Sequence, residues 1–119
     1  MIYFQGFRIT GVANKIVYDE GLKSTPTQKK RLLSVIIQVS SYQDNDVQGW
    51  YMQEKIFDIP DKLLDTTERE ADANTNKSMM RLNEIEVGIE IPVGEIFKVA
   101  IKCGAATTDV VGAYRYELY

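Results

Sequence analysis

From Glu84 to Ile91 the chain reads Glu-Ile-Glu-Val-Gly-Ile-Glu-Ile, with apolar residues at every odd position and acids or glycine at every even one. A helix would scatter those acids around its circumference, whereas a strand places them together on one wet face. The segment is therefore expected to be a β-strand with a buried and a solvated side. The same alternation follows Pro92-Val93-Gly94-Glu95, a turn signal, as Phe97, Val99, Ile101 and Cys103 interleave with Lys98, Ala100 and Lys102. If the two strands form a hairpin, their faces must match. Pairing Ile91 with Phe97 opposes Ile89 to Val99 and sets Glu90 beside Lys98 and Glu86 beside Lys102. The alternative is that this turn crosses between two sheets.

Other segments follow the same period. Lys30 to Gln43 is a long strand whose expected core face is Leu33, Val35, Ile37 and Val39. Asp44-Asn45-Asp46 reads as a turn. Val47 to Ile59 is the return strand, ended by Pro60. Val110 to Tyr119 is the last strand, and Ile2 to Thr10 and Lys15 to Tyr18 are weaker ones. Residues 65–78, DTTEREADANTNKS, are polar throughout and predict a long loop, or a turn or two of helix starting near Asp61.

A chain of 119 residues with 45% hydrophobic and 26% charged residues fits one domain, residues 1–119, that buries a core without disulfide or metal. About six to eight strands joined by turns predict an all-β fold, an antiparallel β-sandwich of jelly-roll or other Greek-key topology. An immunoglobulin-like arrangement is the alternative; the pattern of two cysteines around a tryptophan that marks such domains is absent, which favours a jelly roll or another Greek-key arrangement.

Chemistry is sparse. No histidine occurs, which removes Ser-His-Asp and Cys-His catalysis. The single cysteine, Cys103, continues an apolar register and reads as a buried small hydrophobe. Asp44-Asn45-Asp46-Val47-Gln48-Gly49 echoes a calcium loop, but Lys55 stands where a bidentate glutamate is required. The carboxylates Asp58, Asp61, Asp65, Glu68, Glu70 and Asp72 read as solvated loop charge. No catalytic residue, cofactor or metal is expected. A net charge of −3 argues against binding nucleic acid by phosphate neutralisation. No apolar run approaches the ~18 residues of a membrane span. Met1-Ile2-Tyr3-Phe4 lacks the basic and apolar regions of a secretion signal, so none is expected.

Apolar residues nevertheless fall on both sides of the central strands. Leu32 and Ile36 lie opposite the Leu33–Val39 face, Trp50 and Tyr51 must point to opposite sides, and Met52 and Ile56 raise the same question. A strand apolar on both faces is buried on both or forms an interface. These six residues are the candidate interface. In size, strand count and pattern the chain resembles the small single jelly-roll proteins that build virus particles, such as capsid or vertex components. That resemblance implies a non-enzymatic subunit that forms homo-oligomers, with Leu32, Ile36, Trp50 and Met52 meeting a neighbour. The competing expectation is a carbohydrate-binding module. There Trp50, with Tyr51 or Tyr42, stacks on a sugar ring, and Gln48, Gln53 and Asp46 bind its hydroxyls.

Overall fold

The computed structural model describes residues 1–40, 43–64 and 83–119. Among these lie nine strands: β1 (Ile2–Ile9), β2 (Ile16–Tyr18), β3 (Leu22–Lys23), β4 (Lys30–Val39), β5 (Asp46–Tyr51), β6 (Glu54–Pro60), β7 (Asn83–Ile91), β8 (Ile96–Lys102) and β9 (Val110–Leu118). A single 3-10 turn, Asp61–Leu64, follows β6, where a helical turn was expected. The rest of the polar segment 65–78 lies outside the described residues. Two antiparallel sheets pack as a sandwich. The first has the order β1-β9-β4-β7; the second runs β2-β8-β5-β6, with β3 also pairing β8. Counting β2 and β3 as one interrupted edge, this is the strand order of a jelly roll.

The inner faces follow the alternation. Ile91 on β7, Phe97, Val99 and Ile101 on β8, Val47 on β5 and Tyr114 on β9 are all fully buried. Cys103 is buried as well, with its thiol toward the Thr108 carbonyl. Fully burying a residue of this kind contributes roughly 1.5–3 kcal/mol, so this shared interior dominates the stability of the fold.

Of the two arrangements open for the Pro92–Glu95 turn the structure has the crossing between sheets, and two other expectations are corrected. β7 and β8 do not form a hairpin. β7 pairs β4, β8 pairs β5, and the Pro92–Glu95 turn crosses from one sheet to the other. Gly94, at φ +89°, donates to the Ser24 carbonyl there. Glu90 therefore meets Arg31 at 2.6 Å instead of Lys98. The Asp44–Asp46 turn likewise crosses between sheets. The stretch Val47–Ile59 is two strands, folded back at Met52 and Gln53, both with positive φ.

A bulge also shifts the face of β4. The register slips between Leu32 and Ser34 against both neighbours: against β9 Leu33 is the extra residue of β4, whereas against β7 the extra residue is on β7, where Val87 and Gly88 oppose the one Leu33. Leu32, not Leu33, thereby joins Val35, Ile37 and Val39 in the core, and it is fully buried.

Candidate interaction surface

On β5 the alternation turns Val47, Gly49 and Tyr51 inward and Asp46, Gln48 and Trp50 outward. This follows from their partners on β8: Gly49 opposes buried Val99, whereas Trp50 opposes Lys98. The Trp50 indole Nε1 donates to Gln48 Oε1 at 3.0 Å. Its ring meets Tyr18 of β2 edge-on, with centroids 6.2 Å apart. Lys98 Nζ lies 4.6 Å from the Tyr18 ring centroid, a cation–π contact. Two turns wall this aromatic floor: the Met52-Gln53 hairpin turn and the Pro92–Glu95 crossing between sheets. Together they enclose an open cleft of ≈ 380 Å³ lined by Tyr18, Trp50, Met52, Gln53, Gly94, Glu95, Ile96 and Lys98. The floor is apolar and the rim carries an amide, an acid and an ammonium. A flat amphipathic ring fits that arrangement chemically.

The six candidate residues do not form one surface. Leu32 is in the core, because the β4 bulge rotates it inward; its assignment to an interface is corrected. Ile36 is half-buried on the outer face of the first sheet, between Ala113 and Glu84. Trp50 and Met52 line the cleft on the second sheet. Tyr51 points inward, away from Trp50, and packs against the core, its hydroxyl donating to the Glu90 carbonyl at 3.4 Å. Burial foremost, then the charges of Glu95 and Tyr119, raise its phenol above the ordinary value. Ile56, 40% exposed, is the extra residue of a bulge in β6. Of the sugar-binding candidates, Gln53 lines the cleft, Gln48 is buried beneath the indole, and Asp46 sits beyond the lining beside Lys102. Tyr42 lies outside the described residues. Sequence reasoning missed Tyr18 and Lys98. Tyr18 lay in a weak strand whose partner no local pattern could name.

A second surface was not singled out in advance. β1 is an edge of the first sheet, and among the described residues no strand pairs with its outer side. From Ile2 to Phe7 it carries no charge. Ile2, Tyr3 and Phe4 are 44%, 37% and 60% exposed. Tyr3 stacks on Tyr116 with ring centroids 5.6 Å apart, and strand alternation puts Phe4 on the other side. The outer face continues through Val111, 39% exposed, to Ile36.

Among the described residues no three histidine, cysteine or acidic side chains stand close enough to hold a metal ion. Among the described residues, no helix is long and apolar enough to cross a membrane. No family model, curated protein or solved structure matches the chain.

Proposed function

We propose that this chain is a non-enzymatic building block that associates with copies of itself. The reading rests on one observation: the apolar, uncharged edge strand β1, whose Ile2, Tyr3 and Phe4 stand in solvent in the isolated subunit. Soluble monomers blunt such edges because they template pairing with another chain. The jelly-roll strand order adds to the reading by analogy of fold alone, since capsid subunits use it and so do lectins. A virion shell or vertex is the setting that this analogy favours. Light scattering on the eluting chain tests the proposal. A mass that is a multiple of 13.6 kDa supports it, and 13.6 kDa at every concentration sinks it.

The cleft over Trp50 favours a second reading, a module that binds a carbohydrate ring. The chain has one tryptophan, so its emission reports on this site alone. A saturable shift on titrating glycans, absent in Trp50→Ala, supports that reading. No shift with any glycan removes it.

A further inference from the structure

We infer that β1 pairs with β1 of a second copy, antiparallel, about a two-fold axis through Gln5. This rests on the building-block reading and names its partner and register. Of the strands at the sheet edges, β1 is the one left unguarded. β7 presents Glu84, Glu86 and Glu90 on its outer side, so two copies meeting there would oppose acids. β6 is bulged, charged at Lys55 and Asp58, and ends in Pro60. β2 and β3 are three and two residues long. Each carries a feature that discourages pairing. β1 is eight residues long, keeps an unbroken register with β9 and has no charge before Arg8.

Gly6 supplies the second observation. A glycine inside a strand usually marks a bulge, a positive φ or a close approach by another group. β1 has no bulge, and Gly6 is not among the residues with positive φ. A Cβ built at Gly6 would meet only the Gly112 carbonyl oxygen at 3.7 Å, an ordinary contact. Gly112 differs, since a Cβ there would come within 2.0 Å of the Ile36 carbonyl. Among the described residues, nothing within the chain therefore requires Gly6 to be small. With Gly112 it lines an open depression of ≈ 550 Å³, ample for a phenyl ring. Phe4, two residues away on the same outer face, is the most exposed large hydrophobic residue of the strand.

The knob and the hole fit each other through one symmetry operation. Residues opposite one another in an antiparallel pair share a face, so a register centred on Gln5 keeps inner side to inner side. It sets Phe4 over Gly6 of the second copy and, by the two-fold, Gly6 under its Phe4. Tyr3 meets the second copy's Phe7 toward the core, and Ile2 lies along the stem of its Arg8. The contact is isologous, as closed dimers require, and it turns two four-stranded sheets into one of eight. An added backbone strand provides affinity, while the ring in the depression selects the register.

The test uses the full chain and sedimentation velocity over a range of concentrations. Wild type should dimerise reversibly. Gly6→Val, which suits a strand and whose Cβ makes only an ordinary contact, should keep the circular dichroism and melting temperature of wild type. It should raise the dimer dissociation constant on the order of tenfold or more, and Phe4→Ala should do likewise. Mild oxidation of a mixture of Phe4→Cys and Gly6→Cys chains should give a disulfide-linked pair that neither chain forms alone, since only positions 4 and 6 lie opposite. Assembly of wild type that Gly6→Val leaves unchanged overturns the β1 pairing while the building-block reading stands. A monomer at every concentration overturns both.

Discussion

The Tyr114 hydroxyl ties the two sheets together. It accepts from the Val99 N–H at 3.0 Å and donates to Asp19 Oδ2 at 2.8 Å. Val99 lies on β8 between the short pairings with β2 and β3, so the phenol stands where an uninterrupted edge strand would place a carbonyl. Tyr114→Phe should lower stability by about 1–3 kcal/mol at neutral pH, because the buried N–H loses its acceptor. Burial above all, with the Asp19 charge and hydrogen bond adding and the Val99 N–H opposing, holds this phenol well above the usual tyrosine range. The unfolded chain loses that proton near pH 10 while the fold keeps it. Its contribution is therefore complete below pH ~10 and declines above it by about 1.4 kcal/mol per pH unit. Urea melts of wild type and Tyr114→Phe across that window should differ by this slope. Asp61 is the other buried anchor. Its Oδ2 accepts from the Gln43 N–H and the Thr108 hydroxyl, and that hydroxyl accepts from Asn45 Nδ2. Asp61→Ala should cost about 2–4 kcal/mol, read as a lower urea midpoint with unchanged slope.

The β5–β6 hairpin turns on Met52 and Gln53, at φ 51° and 66°. Two non-glycine residues in the left-handed region store strain of roughly 1–2 kcal/mol each, and strain of this kind clusters at working sites. Met52→Asn with Gln53→Gly, the dipeptide such turns prefer, should stabilise the chain by about 1–2 kcal/mol and strip two residues from the cleft wall. Thermal melts would show the first effect. Val47–Ile59 reads as one strand in sequence because Tyr-Met-Gln-Glu contains no glycine, proline, asparagine or aspartate to signal a turn. The fold class was legible because period-two alternation fixes which face of each strand is buried. Neighbours were not, because Ile89 and Val99 satisfy the same pattern whether paired with each other or on facing sheets. The β4 bulge was invisible for a related reason. Leu32 and Leu33 are equally apolar, and only the lattice of neighbours decides which turns inward. Of the cleft, Trp50, Met52 and Gln53 could be found from one exposed aromatic and its neighbours. Tyr18 and Lys98 reach it from strands distant in sequence.

At the scale of the molecule, the jelly roll leaves one long edge open and guards the others with acids, bulges, proline or brevity. Among the described residues, the first sheet ends at β1 on backbone that no strand pairs. The joining surface carries no charge apart from Arg8, so its association should change little between low and high salt. A contact built on ion pairs would weaken steeply under the same titration. The most direct test is amide hydrogen exchange of β1 in the full chain at low and at high protein concentration. Exchange at an edge strand is fast where amides face water and slow where they are paired. The account predicts that the outward-facing amides between Ile2 and Ile9 slow toward the rates of central β4 as concentration rises. Fast exchange there at every concentration would contradict it.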